Sequence, residues 1–225
     1  MPESRLDPLN TDHPIFSESI RRIRALLGDT HLDPLQQQVL ERLVHSSGDL
    51  SLTSLLRFSP GACEAGIQSL SEGAVILTDT AMAAAAVRPM AMRTLDNEVR
   101  CLLDWAPEQS PQGSTRSAAA MARAWSELVK ASEAGGKPCP VVLIGSAPTA
   151  LEQLLDQLDT GAKSPSLVIG MPVGFVGVPE SKRRLAATSL DQIRLEGTRG
   201  GAGLVAAAAN ALLRAAETTI KGAFV

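Results

Sequence analysis

The sequence predicts a single domain of the α/β class, with three layers in the order α/β/α and a mainly parallel sheet. Three short apolar segments, residues 74–78, 141–145 and 166–170, are bounded by turn residues, as buried strands are. Between the last two lies APTALEQLLDQLD, a helical segment of the length that a parallel crossover needs. We assign residues 1–225 to one domain and expect about residues 1–12 and 221–225 to be frayed.

The helices are predicted from apolar spacing and from capping residues. Apolar side chains recur at helical spacing from Ile15 to Leu27. Asp33-Pro34 is typical of a helix start, with Asp33 as N-cap, and Gly48 is the expected end of that second helix. Further helices are predicted over residues 62–70, 116–132, 147–159 and 203–217, and a loop over residues 105–115.

Composition excludes several classes of function. The formal net charge of −3 and the absence of a basic run argue against nucleic-acid binding. Apolar stretches are far shorter than the roughly 20 residues of a membrane span, and the N-terminus lacks the pattern of a signal peptide. Three widely spaced cysteines predict buried thiols in a reducing compartment. We therefore expect a cytoplasmic protein without a membrane or nucleic-acid partner.

Three loops follow predicted strands, and ligands of open α/β sheets bind at such strand ends. They are residues 78–80, 145–149 and 170–182. The glycines of the third loop have the spacing G-x3-G-x2-G, which is not the dinucleotide-binding pattern, and no phosphate-loop motif occurs in the chain. These glycines either let backbone N–H groups approach an anionic or carbonyl-rich ligand or form a tight structural turn, and the residues leave both possibilities open.

Three predicted helix starts carry a cation, which favours anion binding there. Lys182 follows Pro179-Glu180-Ser181, Arg199 lies in the glycine-rich segment 197–203, and Arg116 lies in Thr115-Arg116-Ser117. Each alone is typical of a capped helix with a solvated cation. Together they suggest a ligand with several separated negative charges.

Histidine is the first candidate for proton transfer near neutral pH, and the chain has three. His13 and His31 lie in segments expected to be solvated. His45 lies at the end of the second helix, where the helix dipole is expected to raise its pKa, and Arg42 is on nearly the same face. Local sequence favours a helix-end histidine without a catalytic role and leaves an acid/base role open.

Eight segments, in order along the chain, resemble the precorrin-8X methylmutases over nearly its whole length. They are SESIRRIR, ERLVHSSG, GAVILTDTAM, DNEVRC, STRSAAAM, VVLIGSAPTAL, IGMPVGFVGVPESK and GTRGGAG followed by NAL. The resemblance implies an isomerase of cobalamin biosynthesis that moves a methyl group from C-11 to C-12 of precorrin-8X to give hydrogenobyrinic acid. It also allows the cobalt-bearing equivalent as substrate.

The resemblance also implies roles for individual residues. His45 matches the acid/base residue of the family, and Ser19 and Arg42 match the residues that contact the substrate. The acetate and propionate arms of the substrate would occupy the strand-end loops and the helix starts. The residues expected to bind substrate there are Asp79, Thr80, Arg116, Ser117, Gly145, Ser146, Gly174, Phe175, Lys182, Arg199 and Gly200. No cofactor or protein-bound metal is expected, and the family implies a homodimer.

Several positions depart from the family pattern. Ser146 replaces an asparagine, Thr198 replaces an arginine, and Ala85-Ala86-Val87 replaces a segment with a glycine. These departures leave open a non-catalytic corrinoid-binding carrier. The helix-start cations alone also allow an unrelated α/β enzyme that acts on a phosphorylated metabolite.

Overall fold

The computed structural model describes residues 13–222, and six strands form one sheet at its centre. Their order across the sheet is β1-β6-β5-β4-β2-β3, and every neighbouring pair is parallel except β1 with β6. The bounds are β1 Leu56–Phe58, β2 Ile76–Thr78, β3 Val99–Cys101, β4 Val141–Ile144, β5 Leu167–Gly170 and β6 Gln192–Leu195. The predicted mainly parallel sheet is confirmed.

Three of these strands were not predicted from the sequence. β1, β3 and β6 each carry an arginine, at Arg57, Arg100 and Arg194, and so lack the continuous apolar run of a buried strand. β1 and β3 are the two edge strands of the sheet, and each has a neighbouring strand on one side only. Their apolar signal is therefore weaker than that of the central strands.

Eight helices lie on the two faces of the sheet in the described part of the chain. Their bounds are α1 Pro14–Leu27, α2 Pro34–Ser47, α3 Ala62–Ser71, α4 Ala81–Arg93, α5 Arg116–Ala134, α6 Pro148–Asp159, α7 Val178–Ala186 and α8 Ala202–Gly222. Short 3-10 turns occupy residues 50–54 and 102–105. The predicted caps of α2 are confirmed, since Asp33 accepts from the N–H groups of Leu35 and Gln36, and Gly48 is left-handed.

The two faces of the sheet are buried by different sets of helices. Val141 and Leu143 of β4 pack into one apolar core with α1, α2, α3, α4 and α8, whereas Val142 and Ile144 pack into a second core with α5, α6 and α7. This alternation along one strand, with helices on both sides, is the predicted three-layer arrangement. The helix α8 includes Lys221 and Gly222, two of the residues expected to be frayed, while residues 1–12 and 223–225 lie outside the described residues.

The cysteines are buried, as the sequence predicts, and the helices can be compared with the length of a membrane span. Cys63, Cys101 and Cys139 are buried thiols with no disulfide among the described residues. Within residues 13–222, no helix combines the length and the apolar content that crossing a membrane needs.

Candidate functional site

Asp79 connects two of the strand-end loops. It follows β2 and is only 1% exposed, and its Oδ2 accepts from the N–H groups of Gly145, Ser146 and Ala147 at 3.0, 2.6 and 2.8 Å. Burial raises the pKa of Asp79, although these hydrogen bonds act in the opposite direction. The predicted ligand contact by Asp79 is thus replaced by an internal role, which fixes the loop between β4 and α6.

The neighbouring residues of these loops have mixed roles. Thr80 caps α4, with its Oγ1 accepting from Ala83 N–H at 3.3 Å. Gly145 is buried against the start of α8, where a Cβ would approach the backbone of Ala202 to 2.7 Å. Ser146 has an exposed side chain and is available to a ligand.

The loop between β5 and α7 packs against the loop between β6 and α8. The N–H of Gly174 donates to Thr198 O at 3.1 Å, and the N–H of Gly201 donates to Met171 O at 2.9 Å. A Cβ at Gly200 would overlap the carbonyl of Met171, so only glycine fits. The sequence left open whether the glycines of residues 170–182 let the backbone approach a ligand or form a structural turn. The contact of Gly174 with the neighbouring loop favours the structural role.

Phe175 lies at the tip of the loop between β5 and α7. Its side chain is 85% exposed, and that of its neighbour Val176 is 90% exposed. An apolar tip of this kind at the ligand end of the sheet is suited to contact the flat apolar face of a large ring.

Lys182 does not face an external anion, and that prediction is wrong. Its side chain is 2% exposed, and its Nζ donates to Gly197 O at 2.9 Å and to Arg199 O at 2.6 Å. Burial lowers the pKa of Lys182 to about 8. The Lys182 amine therefore stabilises the loop between β6 and α8 by binding two of its carbonyl oxygens.

The other two helix-start cations also have partners within the chain. Arg199 forms an ion pair with Asp49, which follows Gly48, the C-cap of α2. Arg116 is exposed, and its Nε donates to Pro107 O at 2.8 Å, while Ser117 is half-buried in the first turn of α5. Arg116 and Arg199 remain at the surface, so each can also contact a ligand.

His45 forms the centre of a second group of residues, at the end of α2. Its Nδ1 lies 2.8 Å from Ser19 Oγ on α1. Partial burial and the charge of Arg42 both lower the pKa of His45, so the expected rise from the helix dipole is wrong. The packing of α1 on α2 thus brings Ser19, predicted from the resemblance, to the histidine, and Arg42, the other such residue, precedes His45 by three residues on α2.

Phe16 and Arg214 belong to the same group and were missed from the sequence. The ring of Phe16 meets the His45 ring edge-on, with centroids 5.0 Å apart. The Cζ atoms of Arg42 and Arg214 lie 4.8 and 5.2 Å from the centroid of that ring. The only available signal was that Phe16 is one of four phenylalanines in the chain.

The histidine group and the strand-end loops belong to one region of the molecule. Asp49, four residues after His45, is joined to Arg199 of the loop between β6 and α8. Among the described residues, no cluster of three or more histidine, cysteine or acidic side chains has the arrangement of a metal site. The chemistry offered is a histidine beside a hydroxyl and cations, next to a set of ordered backbone loops.

Comparisons with known proteins agree with this arrangement. A family model described as precorrin-8X methylmutase matches residues 14–215. The precorrin-8X methylmutase of Pseudomonas aeruginosa is 39% identical, covering 92% of this chain and 97% of the relative, and the cobalt-precorrin-8 methylmutase of Synechocystis sp. is 34% identical, covering 90% and 95%. A crystal structure of precorrin-8X methylmutase from Thermus thermophilus superposes with a TM-score of 0.78 at 37% identity, covering 91% and 96%.

Proposed function

Because this chain belongs to the precorrin-8X methylmutase family, it is a methyl-shift isomerase of cobalamin biosynthesis, and we propose that His45 is its acid/base residue. The observation that supports this role is the contact of Ser19 Oγ with His45 Nδ1 at 2.8 Å. A hydroxyl both donates and accepts, so Ser19 can hold the ring in its neutral and in its protonated form. The other ring nitrogen, Nε2, is then the atom that exchanges a proton with the substrate.

The reaction moves a methyl group within one molecule, from C-11 to C-12 of the macrocycle. The bond from the methyl carbon to C-11 breaks as the bond to C-12 forms, and the ring double bonds rearrange. Protonation of, or a hydrogen bond to, a ring nitrogen draws electron density from the carbon that the methyl group leaves. Substrate and product are isomers, so a proton that His45 donates has to be returned within the turnover.

The charge of the substrate supports protonation of His45. In the unliganded protein the cation of Arg42 contributes to the lowered pKa of His45. A carboxylate arm bound beside Arg42 offsets that positive charge and raises the histidine pKa again. We infer that the imidazolium forms mainly in the substrate complex, where it is used.

The loops at the strand ends supply positioning, which is the other requirement of an intramolecular shift. Ser146, Phe175, Arg116 and Arg199 are exposed at or next to these loops and remain our proposed contacts with the corrin rim and face. Asp79 and Lys182 act indirectly, by fixing the loops that carry such residues. The family assignment does not favour the alternative of a non-catalytic carrier.

The direct test of function is the visible absorption spectrum of the purified protein mixed with precorrin-8X, followed over time. We expect conversion to the spectrum of hydrogenobyrinic acid, because moving the methyl group changes the conjugation of the ring. A parallel sample receives cobalt-precorrin-8, since the relatives differ in which of the two their names contain. A chromophore that is bound but unchanged in both samples would identify a carrier.

We further propose that the protein is a homodimer and that α4 contributes to the interface. Met82 and Met92 are 68% and 72% exposed, and the exposed residues Ala85, Ala86 and Pro89 lie between them on one helical face. Light scattering should give the mass of two chains for the wild type and of one chain for Met82→Glu, since the interface would bury the added charge. Glu substituted for the exposed Leu26 of α1 is the control that should leave the dimer intact. A wild-type mass of one chain would contradict the proposal.

The cytoplasmic location stays a prediction from the sequence.

A further inference from the structure

Lys182 is a buried cation whose partners are all backbone carbonyl oxygens. Its side chain is 2% exposed, and its Nζ donates to Gly197 O at 2.9 Å and to Arg199 O at 2.6 Å. Burial lowers the pKa of this amine to about 8, and no carboxylate in the described part of the chain acts in the opposite direction. Buried charges in proteins are generally paired, so an anion near this ammonium would stabilise it.

The two carbonyl groups fix the direction of two peptide units in the loop between β6 and α8. A trans peptide unit carries its N–H on the side opposite its C=O. The carbonyls of Gly197 and Arg199 point to Lys182, so the N–H groups of the same peptide units, on Thr198 and Gly200, point away from it. Neither N–H donates to an acceptor within residues 13–222, and both residues are only half-buried. Two backbone donors are thus left on the outer side of the loop.

The surroundings of these two N–H groups favour an anionic ligand. A carbonyl that accepts from a cation polarises its peptide unit, which strengthens the N–H of that unit as a donor. The peptide unit between the two is held separately, because Thr198 O accepts from the N–H of Gly174 at 3.1 Å. The ion pair of Arg199 with Asp49 connects the same loop to the end of α2, where His45 lies.

We propose that Lys182 is a positioning residue for substrate binding: its ammonium orients and polarises two peptide units, so that the N–H groups of Thr198 and Gly200 bind carboxylate arms of the corrin substrate. Lys182 does not touch the substrate in this arrangement, and its charge acts across the two peptide units. The inference rests on the proposed function, because it takes the corrin polycarboxylate as the ligand. It gives a negative partner to a buried cation that has none among the described residues.

The first experiment measures binding of hydrogenobyrinic acid by absorbance titration. Lys182→Met keeps an unbranched side chain of similar length and removes the charge and the donors. We expect Kd to rise about 10- to 100-fold, because hydrogen bonds to charged groups are lost when the two peptide units are no longer held. Arg183→Met is the matched control on the same helix. Arg183 is exposed and pairs with Glu180 at 2.9 Å, so this variant should bind like the wild type.

A kinetic comparison separates positioning from a purely structural role. Lys182→Met should raise KM for precorrin-8X and leave kcat within about threefold of the wild type, since the lost contacts are equal in the ground state and the transition state. A residue that only stabilises the fold would instead lower the active fraction, which reduces the apparent kcat and leaves KM unchanged. Thermal unfolding of both variants reports how much of each protein is folded.

Amide hydrogen exchange of the wild type tests the N–H contacts without any substitution. Bound hydrogenobyrinic acid should slow exchange at Thr198 and Gly200 by about tenfold or more, because a hydrogen-bonded amide is protected. The amide of Thr30, in the loop between α1 and α2, is the internal reference and should exchange at the same rate with and without the ligand.

Three results would overturn the inference. An unchanged Kd in Lys182→Met would remove Lys182 from substrate binding, and an equal loss of affinity in Arg183→Met would assign the effect to the charge of α7 as a whole. Unchanged exchange at both amides would show that the carboxylates do not reach them, and this result decides the question even if Lys182→Met fails to fold. Failure of the wild type to convert precorrin-8X would instead reject the proposed function, and the binding and exchange measurements do not depend on turnover.

Discussion

His45→Asn is expected to lower kcat for precorrin-8X by about 10²- to 10⁴-fold, the range that a positioned proton donor contributes. Asparagine keeps a polar group near Ser19 Oγ but cannot exchange a proton at neutral pH. Binding of hydrogenobyrinic acid should change little, since His45 contributes proton transfer more than affinity. The measurement is the rate of the spectral change under saturating substrate.

His31→Asn is the matched control for this substitution. His31 is an exposed histidine in the loop before α2, paired with Asp29 at 3.2 Å, and it has a positive φ of 55° that asparagine tolerates. It should retain the wild-type kcat. Equal activity of His45→Asn and the wild type would reject the catalytic assignment.

The pH dependence of the same reaction tests whether His45 acts as an acid. Burial and Arg42 lower its pKa from 6.5, so kcat/KM should rise as the pH falls through a midpoint below 6.5. Arg42→Gln removes the cation and should move that midpoint up toward 6.5. A kcat/KM that falls with decreasing pH would show that the neutral ring, acting as a base, limits the rate.

Asp79→Ala is expected to lower the free energy of unfolding by about 3 kcal/mol, which corresponds to about 6–12 °C in Tm for a chain of this size. The substitution leaves three backbone N–H groups at residues 145–147 without their shared acceptor. The loop between β4 and α6 should loosen with them. Thermal unfolding followed by circular dichroism measures the loss.

Asp79→Asn is the matched control, because its amide oxygen can accept from the same N–H groups. We expect it to lose about 1 kcal/mol or less at pH 7. The pKa of Asp79 is raised above 3.8 in the folded state, so the ionisable side chain contributes most below pH 3.8 and loses that contribution as pH rises through the folded pKa. The difference in free energy of unfolding between the wild type and Asp79→Asn should therefore narrow as the pH rises from 3.8 through the folded-state pKa. Equal stability of Asp79→Ala and the wild type would show that solvent replaces the carboxylate.

The strongest local signals in the sequence led to correct predictions. The central strands β4 and β5 have continuous apolar runs, and α2 has both an N-cap and a C-terminal glycine. Such signals act within a few residues, so they depend less on distant parts of the chain than the contacts of a site do. Edge strands such as β1 were missed because Arg57 interrupts the pattern that reveals a buried strand.

The site was only partly predictable, because distant residues decide what each side chain contacts. The sequence predicted that Lys182 binds an anion at a helix start. In the structure its Nζ donates instead to the backbone carbonyl oxygens of Gly197 and Arg199. The position of His45 at a helix end predicted a raised pKa, whereas partial burial and the charge of Arg42 lower that pKa.

The sequence by itself determined the α/β class, the helices with clear caps and, through its motifs, the family, and it led to the proposal of His45 as the acid/base residue. The tertiary structure alone decided that Asp79 binds backbone groups 66–68 residues away, and that the ring of Phe16 contacts arginines of α2 and α8. Local preferences depend on neighbours along the chain, whereas burial and charge at a site depend on which helices pack together. The sequence could therefore single out His45 as a candidate, whereas its contacts with Ser19 and Phe16 depend on how α1 packs against α2.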